Sequence, residues 1–234
     1  MKKLYFLFFL TIGLLANAQI VNIPDANFKA KLLSAISTNN IASTQTPIYD
    51  GTTDSWSVSS YNVIDTNSDG EIQVTEAQAI KWLDVSGGSY INNIEGIEAF
   101  SNLQVLICEY IELPTLDASS LTNLIFLNCN FNQLTNLNLS TNTALINLGC
   151  QSNLLTNLDV STNSALVYLD CSNNELTTLD VSPNPMLSHL ECFVNQLVSL
   201  NVANENNTSF STFNAMAYGR YFSNRSSVFS GGVS

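Results

Sequence analysis

Charge is what this 234-residue sequence has least of. Only 11% of it is Asp, Glu, Lys or Arg, less than half the roughly 25% usual in soluble domains. Positive charge is scarcest: seven Lys and Arg face nineteen Asp and Glu, a formal net charge of −12. Lys2 and Lys3 open the chain, and Arg220 and Arg225 fall in its last fifteen residues. Between them only Lys29, Lys31 and Lys81 stand against all nineteen acids, a balance of −16. Such a surface repels phosphate backbones and anionic lipid, so no nucleic-acid partner is expected. Cations and neutral or basic ligands remain.

Histidine is almost absent. Any Ser-His-Asp or Cys-His arrangement would depend on His189 alone, and no HExxH, GxSxG or phosphate-cradling Gly-rich loop occurs. The chain is not expected to be an enzyme. Long apolar runs are missing after the first, LYFLFFLTIGLLA, which follows Met1-Lys2-Lys3 and precedes Ala16-Asn17-Ala18. A bilayer span needs about 20 apolar residues. A basic start, a shorter apolar run and an A-x-A site make residues 1–18 a signal peptide, with cleavage after Ala18. The expected location is therefore secreted or cell surface, with no membrane span after cleavage.

What is present is a core: 45% of residues are hydrophobic, which excludes wholesale disorder. Leu and Asn each occur 31 times. The five cysteines, Cys108, Cys129, Cys150, Cys171 and Cys192, are spaced 21 residues apart without exception. An odd number in identical phase, with no C-x-x-C pair, argues against disulfides or zinc. It predicts a column of buried thiols acting as small hydrophobes.

Aligned on those cysteines, the chain repeats the frame L-x-x-L-x-C-x-x-N-x-L-x-x-L-x-V/L-S-x-N from Leu103, Leu124, Leu145, Leu166 and Leu187. A looser copy starts at Ile80 and a partial one at Phe210. In L-x-x-L-x-C the fourth and sixth residues share one strand face and the third and fifth the other. One coil can bury its Leu and Cys only against the next. The column Asn132, Asn153, Asn174 and Asn195 falls where the chain turns, so its amides should satisfy the turning backbone. Ile111 replaces Asn in the first copy, whose turn should be less regular. A second polar column, Asp117, Asn138, Asp159, Asp180 and Asn201, reads as turn chemistry on the outer segment. The frame resembles the leucine-rich repeat over roughly residues 80–215. The expected fold is a β-rich leucine-rich-repeat solenoid of 21-residue coils, preceded by a small helical cap.

Residues 65–76, DTNSDGEIQVTE, carry metal-site spacing. Against the twelve-residue EF-hand loop, Asp65, Asn67 and Asp69 take positions 1, 3 and 5, and Gly70 the sharp bend. Glu71 offers its carbonyl at position 7, Gln73 takes position 9 and Glu76 the bidentate position 12. Six or seven oxygens from one loop suit Ca2+. Upstream, IPDANFKA predicts a helix capped by Asp25 and running to about Ile36, with Phe28, Leu32 and Ile36 on one face. IPDANFKA, the calcium-type loop, GIEAF at 96–100 and the LDVS and LDCSNN coils together resemble secreted leucine-rich-repeat proteins of Bacteroidetes-type bacteria. The resemblance implies an EF-hand-like segment within an N-terminal cap, residues 19–79. Residues 38–63 look like an insertion in that pattern. It ends at Met216. Residues 216–234 form an off-pattern tail that loses the repeat phase, for which a truncated or frameshifted reading frame is one explanation.

The outward strand positions are Val105, Ile107, Phe126, Asn128, Asn147, Gly149, Tyr168, Asp170, His189 and Glu191; all but Asn147 and Gly149, with Tyr110 and Phe131 beyond the first two cysteines, make the candidate ligand-binding face. The face runs from apolar to acidic, and aromatics on a rigid repetitive surface suit recognition of a protein or glycan at the cell surface. The alternatives are a calcium-stabilised structural or adhesive surface component, and an accessory domain of a longer secreted enzyme.

Overall fold

The computed structural model describes residues 19–52, 55–87 and 90–203, together with the backbone of the strands at 212–214, 216–217 and 220–221. The leader at 1–18 and most of the tail lie outside the described residues. The described chain is a β-solenoid with few helices.

Each repeat contributes one three-residue strand to a single sheet. In spatial order these are Trp82–Asp84, Val105–Ile107, Phe126–Asn128, Asn147–Gly149, Tyr168–Asp170, His189–Glu191 and Thr212–Asn214, all parallel. Ala42–Ser43 from the cap closes the first edge as an antiparallel strand. Register follows sequence phase: Leu83, Leu106, Leu127, Leu148, Leu169, Leu190 and Phe213 lie side by side. The expected partial copy at 210 thus forms the next rung. The outer side of the coil is extended rather than helical, with two short parallel pairs, Thr115–Asp117 with Asn136–Asn138 and Thr178–Asp180 with Ser199–Asn201. Twenty-one residues leave no room for a helix between strand and return.

The interior is columnar. The Leu of each strand and the five Cys are fully buried, and the thiols are unpaired. Burial raises every one of them, Cys129 and Cys192 to about 12. The Asn column works as the spacing predicts. Asn153 Nδ2 donates to Cys129 O of the preceding coil and to Cys150 O of its own, while its Oδ1 accepts from Leu134 N. Asn174 and Asn195 repeat the pattern one coil at a time. Ahead of Ile111 the turn is irregular, as expected. Glu112 joins Tyr110 at positive φ, and Asn132 Oδ1 must accept from both Ile111 N and Leu113 N. A second buried column emerges in the structure: Asn142, Asn163 and Asn184 donate to carbonyls of the preceding coil. On the outer segment, Asp117, Asn138, Asp159, Asp180 and Asn201 each accept the N–H two residues on, so that column is turn chemistry.

In the cap, α1 (Ala26–Leu33) is capped by Asp25, whose Oδ1 accepts from Asn27 N and Phe28 N at 2.9 Å. The helix stops three residues short of the expected end. Ile36 is exposed, and Ala35 turns inward beside Phe28 and Leu32 instead. The break comes at Ser34, whose side chain bonds back to Lys31 O and whose carbonyl accepts from Asn39 Nδ2. A second helix, α2 (Val74–Ala79), leads through buried Ile80 into the first coil.

Candidate functional site

Strand phase decides which side chains leave the core, and the cap decides which of those stay accessible. Phe126, Asn128, Tyr168, His189, Glu191 and Ile107 are half-buried on the ladder face, and Tyr110 and Phe131 are exposed. Val105 is fully buried, contrary to its place in the candidate face. It lies in register beside buried Trp82, at the edge where the cap packs. There Ser43 pairs with Trp82, Ser43 Oγ donates to Ser60 O, and Asn62 N donates to Ala42 O. Asp170 is also buried rather than presented outward. Its Oδ1 accepts from Ser172 N at 3.0 Å and Ser172 Oγ at 2.5 Å. Burial pushes its carboxyl above the usual carboxylate range, and neighbouring Glu191 adds to this.

Two aromatic stacks mark the face. Tyr168 lies on His189 with ring centres 4.3 Å apart and planes at 17°, and His189 Nε2 meets Glu191 Oε1 at 3.1 Å. A carboxylate can only accept, so Nε2 carries the hydrogen of this pair. At the turn end, Tyr110 stacks on Phe131 at 4.4 Å and 6°. Both residues sit at φ 55°, as do their counterparts Ser152, Asn173 and Val194 at φ 55°, 54° and 51°. A bulky side chain in the left-handed region costs about 1–2 kcal/mol relative to glycine. Tyr110 and Phe131 offset this with little burial, being 54% and 38% exposed.

Asn128 is less available than its position suggests. Its Nδ2 donates to Glu109 Oε1 at 2.6 Å, and Asn130 reaches the same oxygen at 3.4 Å. Gly149 makes room for this cluster, since a Cβ there would meet the Asn130 amide at 3.1 Å.

The largest departure from sequence reading is the insertion. Ile48–Asp50 and Ser55–Ser57 pair as an antiparallel hairpin in which Tyr49 faces Trp56, their rings 5.2 Å apart and tilted by 46°. Trp56 Nε1 donates to Asn147 Oδ1 at 3.3 Å, across 91 residues of sequence. The hairpin therefore reaches the middle of the ladder face and, with Asn147, Tyr168, Ser188 and His189, encloses a cleft of about 600 Å3. Asp-Gly flanked by Tyr and Trp was the available signal for a hairpin; nothing local announces where a hairpin docks.

In the 65–76 loop, Asp65 accepts from Asp69 N at 3.2 Å and Gly70 N at 3.0 Å. Asn67 Oδ1 accepts from Asp69 N, and Asp69 Oδ1 from Glu71 N. The backbone bond from Glu71 leads the causes that lower the Asp69 carboxyl, outweighing a small desolvation. Gly70, at φ 80°, makes the bend. Asn67 Nδ2 and Gln73 Nε2 both donate to Asp69 Oδ2. Glu71 pairs with Lys29 at 2.6 Å. Glu76 accepts from Thr66 N and Oγ1 on one oxygen and from Gln73 N on the other. Among the described residues no three His, Cys, Asp or Glu converge as a metal cluster, so a cation here would draw on the amides and the Glu71 carbonyl too. The donor set fits a hard cation, because rotating the two amides would turn oxygens toward Asp69.

No protein-family model and no curated protein matches the chain. Solved structures do. The functional domain of InlJ from Listeria monocytogenes, described as including a cysteine ladder, is 36% identical over 64% of this chain and 32% of that one, with a TM-score of 0.57. A leucine-rich-repeat protein of Leptospira interrogans is 27% identical over 60% of this chain and 38% of that one, with a TM-score of 0.48. The chain spans about a third of the length of these structures. The fold is the leucine-rich-repeat solenoid, and in this chain five unpaired Cys, from Cys108 to Cys192, are buried one per coil. Among the described residues no helix is long and apolar enough to cross a membrane.

Proposed function

We propose that this chain is a secreted or cell-surface recognition module that binds a protein or glycan partner without catalysing a reaction. One observation carries the reading: Tyr110 and Phe131 are held in a strained backbone region and still face solvent as a stacked pair. The left-handed φ recurs in every coil, Val194 included, so it is the exposed aromatic pair stacked across two successive coils that points to a binding role. Flat, rigid aromatics are also the residues that dominate recognition surfaces. The test replaces both with Asn, the residue that already occupies the same turn position at Asn173 and tolerates its φ. The double variant should melt no lower than the native chain. On a glycan array and a panel of surface proteins it should lose at least tenfold in affinity for any ligand the native chain retains. Unchanged affinity would remove the stack from the site.

Calcium belongs to the same proposal as a support for the cap. Asp65, Asn67, Asp69, Gln73 and Glu76, with the Glu71 carbonyl, would hold it. Its charge would offset Asp65, Asp69 and Glu76 and tie α2 to the loop that precedes it.

A further inference from the structure

The cleft beneath the hairpin has a chemistry of its own. Its lining joins Tyr49 and Trp56 of the hairpin to the stacked Tyr168 and His189 of the ladder, so four rings border one cavity. Aromatic faces are electronegative and attract cations. No Lys or Arg is among the described residues that line it. Two N–H donors that could have served an anion are turned elsewhere: Trp56 Nε1 onto Asn147 Oδ1, and His189 Nε2 onto Glu191 Oε1. Glu191, which pairs with lining His189, and its register partner Asp170 put the acidic end of the ladder beside the cleft without lining it. Its volume of about 600 Å3 falls in the range of small-molecule sites, roughly 300–1,000 Å3, and exceeds what a bare ion needs.

We propose that this cleft binds an organic cation, a guanidinium or alkylammonium group, held among Tyr49, Trp56 and Tyr168. A planar guanidinium suits it best, because it can stack on an aromatic plane while its edge donates to acceptors at the rim. The inference does not rest on the Tyr110–Phe131 reading, and the Asn double variant described above should leave it intact.

The chain holds two tryptophans. Trp82 is buried and its Nε1 makes no hydrogen bond, so Trp82→Phe removes none and leaves Trp56 as sole reporter. Titrating that protein with N-acetyl-arginine amide should give a saturable change in Trp56 fluorescence. N-acetyl-citrulline amide, which has the same shape without the charge, should bind at least tenfold more weakly, and methyl glucoside should give no response. Tyr168→Ala and Glu191→Gln should each weaken binding about fivefold, the second without touching the aromatic packing. Methylguanidinium and an arginine-containing tripeptide, run in parallel, distinguish a free small cation from a side chain of a peptide. An equal response to the citrulline compound or the glucoside would overturn the assignment, as would no saturable response to any guanidinium.

Discussion

Asn153→Ala tests whether the amide column, rather than the apolar interior alone, holds the coils together. Asn153 is buried, and its amide makes contacts in both directions. Its Nδ2 lies 3.0 Å from Cys129 O, 3.1 Å from Cys150 O and 3.2 Å from Gln151 O; its Oδ1 lies 2.9 Å from Leu134 N. The carbonyls have cover: Cys129 O also accepts from Asn132, and Cys150 O also from Asn174. Leu134 N has no such alternative, so truncation leaves one buried N–H orphaned. That orphan costs about 1–3 kcal/mol, and each weakened carbonyl bond about 0.5–1.5 kcal/mol. The expected loss is about 3 kcal/mol, a large part of the 5–15 kcal/mol typical of a domain. Urea unfolding followed by far-UV circular dichroism measures it. Exposed Asn157→Ala, in the same coil, should change stability by less than about 0.5 kcal/mol. A loss below about 1 kcal/mol for Asn153→Ala would refute the argument and give the cohesion to Leu and Cys packing.

The buried thiols, raised by desolvation to about 12 at Cys129 and Cys192, should resist iodoacetamide at pH 8 in the native chain, and all five should react in urea. Mass spectrometry counts them; rapid native labelling would contradict the packed column. Val194 is β-branched, 58% exposed and at φ 51°, so Val194→Gly should stabilise the chain by about 1 kcal/mol in the same urea assay. Asp170 has a raised carboxyl, so the fold favours its protonated form. Its contribution is therefore fully present below the unfolded-state pKa and is lost as pH rises through the higher folded one. Asp170→Asn keeps the acceptor for Ser172 and removes the charge; it should raise the melting temperature at pH 7 and leave it little changed at pH 3.5. For the loop, millimolar Ca2+ should raise the melting temperature and Asp65→Ala should abolish the rise; an unchanged native melt would withdraw calcium from the proposal.

The interior was legible because each repeat says the same thing. Cysteines at one phase, Leu two residues before each, and Asn three residues after all but the first leave a single register that packs them together. The outer turns were legible for the same reason. The cap was legible only where a local rule applied, as at Asp25; Ile36 failed because the helical face continued in sequence after Ser34 and Asn39 had ended the helix. The site was half legible. Periodicity tells which side of a strand a residue leaves from, and that held for Phe126, Tyr168 and His189. It carries nothing about what arrives from elsewhere in the chain. Val105 disappears at the cap edge, and Trp56 reaches Asn147 through a contact with no local signature.

The division between legible interior and illegible exterior follows from how the solenoid is held. The backbone ladder, Leu, Cys and the two Asn columns supply most of the contacts between coils, so a coil loses little cohesion when its outward residues change. At the position after the strand the chain needs only a left-handed residue, and five coils fill it with Tyr, Phe, Ser, Asn and Val. Ser and Asn are the inexpensive choices there; the aromatic ones occur consecutively, at Tyr110 and Phe131, where they can stack. On the strand face the same freedom sets Asn147 beneath Trp56 and Tyr168 beside His189. Stacking returns about 0.5–1.5 kcal/mol to such a pair, but Ser or Asn would avoid the left-handed cost altogether, and a binding surface accounts for keeping the aromatics. Exchanging Phe131 with Val194 would test this: stability should be nearly conserved, while any ligand held by the stack should be lost.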